Sequence, residues 1–479
     1  MVKVDSRLAS KQDRRIVPPT VRDPRDREKT MHNRPARSAA HTTLVLLSTL
    51  ALSAAGCLSD WTVFIPRSPG ETDHPGETPD RSECKPRPAK ALTKHCAQPG
   101  ESSELPPCAQ WVKMQPEGAS CSDGSPYKFF VNYSGTSDNL LVMFEPGGAC
   151  FDYETCTRSK LGAVNPNGLA DDHIARYADF NLLRRSDDNP ARDWNFVFVS
   201  YCTGDVHGGD LEATYPDPAG GPALTYRHFG ARNTAKVIEF LGEQFDNVPQ
   251  LLVTGCSAGG TGAMQNYARI RAGVEGVQCG YLLDDSGPIF DSDGPSQALH
   301  AASRAAWNLD PLLAELEQTL RLTPGEISEN FGRLNSALAE RYPRDRFALT
   351  AYQRDLNYSL YSYAVFEPGI TLDQIQANWK TDLLDIQQVY ESQPNMGYYI
   401  PYFRLHNCSH CATIPPRTQG ELATESQPWL GTEITSQNID LRDFIDQLLD
   451  NGQPVGREFE TDATSDFTPE QAGMCLPQG

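Results

Sequence analysis

Leu251-Leu-Val-Thr-Gly-Cys-Ser-Ala-Gly-Gly-Thr-Gly-Ala-Met264 decides the fold. The stretch opens as an apolar, β-prone run, turns on glycines, and continues through Gln265-Asn-Tyr-Ala-Arg-Ile-Arg271 as a helix. A Gly-x-Ser-x-Gly string recurs by chance in chains of this length. Its position between a strand and a helix gives it meaning, because a sharp strand-to-helix turn lifts the serine out of the sheet as a nucleophile elbow. Gly255, Gly259 and Gly260 let strand and helix pass closely, and Ser257 is expected in a strained backbone conformation.

Outward from this turn, Tyr127–Tyr133 and Asn139–Glu145 are short β-like runs, and Asn195–Tyr201 and Gly280–Asp284 are nearly continuous apolar runs of the kind buried on both faces of a parallel sheet. Asn233–Phe245 has apolar residues at helical spacing. The alternation predicts an α/β fold with a mostly parallel sheet flanked by helices. Leu309–Leu320 and Asp440–Leu449 are predicted amphipathic helices, the first in an inserted cap segment.

Attack by a serine hydroxyl on an ester creates an oxyanion, which needs preorganised backbone donors. Two places can supply them: Ala258, directly after Ser257, and the Gly147-Gly148-Ala149 loop that ends an earlier strand. Ser257 is accordingly the candidate nucleophile, in a fold of the α/β-hydrolase type.

Five ordered blocks make the reading more specific: Phe144-Glu-Pro-Gly-Gly-Ala-Cys-Phe151, Tyr201-Cys-Thr-Gly-Asp-Val-His-Gly-Gly-Asp210, Gly255-Cys-Ser-Ala-Gly-Gly260, Asp284-Asp-Ser-Gly-Pro288 and Asn407-Cys-Ser-His-Cys411. Together they resemble the pectinacetylesterase family, to which Notum-type carboxylesterases also belong. The resemblance covers roughly residues 120–415 and implies a Ser-Asp-His hydrolase that removes acetyl or longer acyl groups without metal or cofactor. By position it implies Ser257 as nucleophile, Gly148, Ala149 and Ala258 as oxyanion donors, and His410 as general base, with His406 the competing histidine. The family's late Asp-x-x-Gln-like block is matched by Asp355-Leu-Asn-Tyr358, where tyrosine replaces glutamine. Asp355 is thus the candidate acid, and Asp285, at the end of a predicted strand, is the alternative or a structural cap of its own turn.

The 479-residue chain is acidic, with a formal net charge of −20, and its first 56 residues are net basic, so the remainder is more acidic still. Such a surface repels nucleic acid and gives no long-range attraction to anionic pectin. The expected activity is removal of acetyl or other short acyl groups from a polysaccharide or related ester, with a longer-chain deacylase of the Notum type and a non-catalytic surface-binding lipoprotein on a hydrolase scaffold as the alternatives. Residues 1–56 read as an N-terminal extension plus signal peptide, with Met31 the expected start and Thr42–Ala55 the apolar core. Ala54-Ala-Gly-Cys57 resembles a bacterial lipoprotein signal, which implies lipid on Cys57 and an exported, membrane-anchored protein. Of the 13 cysteines, 12 then remain for disulfides, with Cys150–Cys156 the expected short-range pair. A metal at Cys408-x-x-Cys411 is the weaker alternative, for no second such pair completes four ligands. Residues 57–107, rich in Pro, Gly and acids, read as a tether whose later cysteines stitch it to a catalytic domain over 108–479.

Overall fold

The structure is a computed structural model that describes residues 84–86, 92–159, 168–404, 406–415, 429, 432–434 and 439–461. The signal segment, Met31, Cys57 and most of the tether lie outside the described residues. All described residues fall in one compact unit, Ile65–Gly479.

Nine strands of the described chain form one sheet in the order β1-β2-β4-β3-β7-β8-β9-β10-β11. They are β1 (Trp111–Met114), β2 (Phe129–Asn132), β3 (Leu140–Phe144), β4 (Asn195–Val199), β7 (Val248–Cys256), β8 (Val277–Asp285), β9 (Arg346–Thr350), β10 (Met396–Ile400) and β11 (Arg457–Phe459). The intervening β5 (Leu211–Tyr215) and β6 (Leu224–His228) pair as a separate hairpin. The β1–β2 and β2–β4 pairings are antiparallel, and from β4 onward every pairing is parallel. Swapping β3 and β4 while β7 follows β3 is the strand order of an α/β-hydrolase sheet, and it puts the strand before Ser257 at the centre.

The central strands are continuous apolar runs because both faces are covered. In β3, Leu140, Val142 and Phe144 enter one core while Leu141 and Met143 enter the other, and Leu251, Leu252 and Val253 of β7 divide the same way. Each such fully buried side chain contributes roughly 1.5–3 kcal/mol. Helix α1 (Gly230–Gln244) leads into β7, and α2 (Ala258–Gly273) connects it to β8. Nearly all of α2 is buried, so its sequence is small and uncharged at Ala258–Ala263. Between β8 and β9 the chain inserts α3 (Gln297–Trp307), α4 (Asp310–Leu320) and α5 (Leu334–Arg341), and α4 packs against α2. The expected inserted helical segment is therefore present, next to α2. Helices α6 (Leu372–Ser392) and α7 (Leu441–Leu449) complete the flanking layers.

Disulfides join Cys84–Cys279, Cys96–Cys108, Cys121–Cys202, Cys150–Cys156 and Cys256–Cys411. Every described cysteine is in a disulfide, Cys408 included. That usage belongs to an oxidising compartment. Composition assigns residues up to 107 to a tether, yet the described part after 92 lies on the domain: His95 stacks on Tyr133 and packs at a tilt against Phe245, and Thr93 N donates to Asp138. The segment has few aliphatic residues to bury, and disulfides do the fastening that a core would otherwise do.

Candidate active site

Ser257 sits between the last residue of β7 and the first of α2, at φ 57°, ψ −124°. Positive φ is strained for a residue with a Cβ, and it persists only where the surroundings over-determine it. Ser257 N donates to Asp285 O at 2.8 Å, and Thr261 N donates to Ser257 O at 3.1 Å. A Cβ on Gly259 would stand 2.1 Å from Phe144 O, and one on Gly287 would stand 2.3 Å from Ser257 O. Strand, turn and helix are therefore in backbone contact, and only glycine fits there.

The loop after β3 leaves the sheet level with this turn, because Phe144 pairs with Gly255. Gly148 adopts φ 67°, and Tyr201 Oη donates to Gly148 O at 2.9 Å. Cys150 is tied by its disulfide to Cys156, by its N–H to Gly204 O, and by its carbonyl to Trp307 Nε1. At the root of the loop the buried Glu145 carboxylate receives Tyr201 N at 2.7 Å and meets His173 Nε2 at 2.9 Å, while His207 Nε2 donates to Glu145 O. Among the described residues the N–H groups of Gly148, Ala149 and Ala258 have no protein acceptor. Ala258 is moreover the first residue of a 16-residue helix, whose N-terminal end favours negative charge.

His410 follows three residues with positive φ, Asn407, Cys408 and Ser409. Its Nδ1 is 2.7 Å from Asp355 Oδ2, and both side chains are buried. Asp355 Oδ1 accepts from the N–H groups of Asn357 and Tyr358 at 2.9 and 2.8 Å, so the carboxylate is held at both ends. Tyr358, which stands where the family pattern has glutamine, contributes its backbone N–H and places its ring 6.5 Å from the imidazole. Burial pulls the His410 pKa down, but the charge and hydrogen bond of Asp355, aided by Asp285, outweigh it and leave the value raised.

Asp285 makes no bond to His410. Its Oδ1 accepts from Ala412 N and Ser286 Oγ, and its Oδ2 accepts from Thr413 N and Thr413 Oγ1. Ser286 Oγ in turn accepts from Cys411 N at 3.0 Å. One residue thereby grips the loop carrying His410 with its side chain and receives Ser257 N on its carbonyl. Replacing it with asparagine leaves one of these donors facing an amide N–H, and hydrogen bonds to a buried charge are worth about 1.5–3 kcal/mol each. Asp285→Asn is expected to lower the urea midpoint and slow ester turnover more than it slows labelling of Ser257, and equal loss of both would contradict this positioning.

The Cys256–Cys411 disulfide joins the residue before Ser257 to the residue after His410. A His410 ring nitrogen and the two sulphurs lie within 4.8 Å of one another. Both sulphurs are in a disulfide, so neither serves as a thiolate ligand, and the Cys408-x-x-Cys411 spacing is not a free pair. Sequence reasoning missed this link and the anchoring by Asp285. The signal was present, since a cysteine adjoins Ser257 and another adjoins His410.

Beside the site lies a cavity of about 320 Å³ between α2 and the inserted segment, lined by Thr261, Pro288, Leu299, Trp307, Phe331 and Tyr358 among others. Thr261 is one turn along α2 from Ser257, and Trp307 holds the Gly148 loop through Cys150 O.

Residues 108–320 match the family model described as pectinacetylesterase. The chain is 30% identical over 182 residues to the palmitoleoyl-protein carboxylesterase NOTUM of Homo sapiens, an alignment covering 36% of this chain and 34% of that protein. It is 31% identical over 153 residues to pectin acetylesterase 11 of Arabidopsis thaliana, covering 31% and 37%. The chain thus spans about a third of the length of these curated relatives. A crystal structure of the Wnt deacylase Notum from Drosophila superposes with TM-score 0.46 at 17% identity, covering 71% of this chain and 93% of that one. The matched family range contains Ser257, Gly148, Ala149 and Ala258 and ends before Asp355 and His410.

Proposed function

We propose that this chain, whose residues 108–320 match the pectinacetylesterase family model, is an exported serine hydrolase of carboxylic esters. The observation that carries the reading is the joint fastening of Ser257 and His410. Their neighbours share a disulfide, and the imidazole has Asp355 on Nδ1. In this reading Ser257 Oγ attacks the acyl carbon and gives its proton to His410 Nε2, while Asp355 fixes the tautomer and stabilises the imidazolium. The N–H groups of Gly148, Ala149 and Ala258 receive the oxyanion. The proton passes to the departing alcohol, and water then cleaves the acyl-enzyme by the same steps in reverse.

The relatives named above act on a palmitoleoyl protein and on acetylated pectin, and the cavity favours the longer acyl group for this chain. An apolar cavity of ~150 Å³ holds benzene. About twice that volume is far more than an acetyl methyl needs. Removal of acetyl or other short acyl groups from a polysaccharide is the competing reading, and the acidic surface argues against anionic pectin within it. With p-nitrophenyl esters, kcat/KM is expected to rise from acetyl to octanoyl, and a steep fall would return the acetylesterase reading. Lipid on Cys57 would tether the enzyme to a membrane through the acidic, Pro-rich segment that follows it.

A further inference from the structure

In the esterase reading the peptide unit between Gly148 and Ala149 supplies an oxyanion donor through Ala149 N. A trans peptide is planar, with its C=O and N–H pointing opposite ways, so whatever fixes Gly148 O also aims Ala149 N. Among the described residues the side chain that does so is Tyr201, whose Oη lies 2.9 Å from Gly148 O. A second bond sets the direction of the first. Val206 N donates to the same Oη at 2.7 Å, which leaves the hydroxyl's single proton for the carbonyl. The restraint falls where the backbone is freest, because Gly148 has φ 67° and a glycine accepts the angles on either side of a flip of the adjoining peptide. The other fastenings lie one residue on: Cys150 N donates to Gly204 O, Trp307 Nε1 donates to Cys150 O, and a disulfide joins Cys150 to Cys156. None of them touches the Gly148–Ala149 peptide.

We propose that Tyr201 is a positioning residue of the oxyanion hole: its hydroxyl, by holding Gly148 O, aims the Ala149 N–H at the oxyanion without touching the substrate. This rests on the esterase reading, which supplies the oxyanion. Tyr201 is itself firmly placed. It is buried, its backbone N donates to the Glu145 carboxylate at 2.7 Å, and the His207 ring stacks on its own at 4.5 Å. From the loop, a Cβ on Gly147 would stand 2.8 Å from Tyr201 Cδ1, so only glycine lets the backbone come this close to the ring. Burial, helped by the charge of Asp205, pushes the phenol pKa well up and keeps the group a protonated donor. The oxyanion needs the aimed N–H more than the ground-state carbonyl does, so the residue acts on the chemical step rather than on substrate binding.

The test compares the full native chain with Tyr201→Phe and Gly147→Ala, active sites being counted by the end point of fluorophosphonate labelling. Phenylalanine keeps the ring against His207 and removes the hydroxyl, whereas alanine keeps the hydroxyl and pushes ring and loop apart. With p-nitrophenyl acetate and octanoate alike, kcat per labelled site is expected to fall about tenfold in each variant with KM unchanged, short of the roughly 10²–10³ lost when an oxyanion donor is removed outright. Octyl trifluoromethyl ketone reads the oxyanion itself. Ser257 Oγ bonds to its carbonyl carbon, the serine proton passes to His410, and the carbonyl oxygen becomes the oxyanion. Its inhibition constant is expected to rise about tenfold in Tyr201→Phe, in step with kcat. A tyrosine with a merely structural role would lower the melting temperature and leave kcat per labelled site and the inhibition constant as they are. That result, in whichever variant folds, would overturn the proposal and leave the esterase reading standing. A native chain that hydrolyses neither ester would overturn both.

Discussion

Exchanging Ser257 for alanine is expected to lower kcat for ester hydrolysis by about 10⁶-fold, because the hydroxyl is the only group at the elbow able to form the acyl-enzyme and losing a nucleophile removes the whole triad's contribution. Binding should survive, since the oxyanion donors and the cavity are untouched. The strain at φ 57° is imposed by the backbone contacts of Gly255, Gly259 and Gly287, and alanine, which carries the same Cβ, occupies that conformation at about the same cost as serine. The variant should therefore keep its melting temperature and its affinity for a substrate-like ester. A residual rate within tenfold of the native chain would show that Ser257 does not carry the chemistry.

Asp355→Asn is the second large effect. Asparagine keeps an acceptor for the Asn357 and Tyr358 N–H groups, but it can present an amide N–H to His410 Nδ1, and that stabilises the wrong tautomer. In the Ser-His-Asp arrangement of serine proteases this change costs kcat about 10⁴-fold, and a similar loss is expected here. The pH profile should move as well. His410 works as a base only when neutral, so activity in the native chain falls as the pH drops through its raised pKa. Without Asp355 the desolvation that opposes that rise dominates, and the acid limb should shift to lower pH. For the native fold the sign is opposite. A folded pKa above the unfolded one adds stability that is complete below the unfolded value and is lost as pH rises through the folded one. A profile that keeps its acid limb in Asp355→Asn would place the titrating base elsewhere.

Much of this architecture is legible in the residues, for a physical reason that differs from part to part. The central strands could be read because both faces are buried, which leaves runs such as Leu140–Phe144 apolar throughout. The elbow could be read because backbone contact at Gly259 admits no side chain. Asp355 and His410 are harder, since they lie on loops after β9 and β10 and meet only because those strands are neighbours in the sheet. No local pattern encodes that adjacency, and the family resemblance was needed to point to them. Asp285 shows the limit more clearly. An acid at the end of a central strand has the right address for catalysis, yet four donors from Ser286, Ala412 and Thr413 occupy its oxygens. Long-range pairings such as Cys256–Cys411 are likewise set by the fold, whereas Cys150–Cys156 follows from proximity along the chain.

The central claim is that Ser257 is an activated nucleophile, and a fluorophosphonate reports it directly. Incubated with the intact oxidised chain and followed by mass spectrometry, it is expected to add one phosphonyl group, on the peptide containing Ser257, at a rate that falls sharply in Asp355→Asn. A folded chain that takes up no label, or takes it up on another serine, would contradict the account.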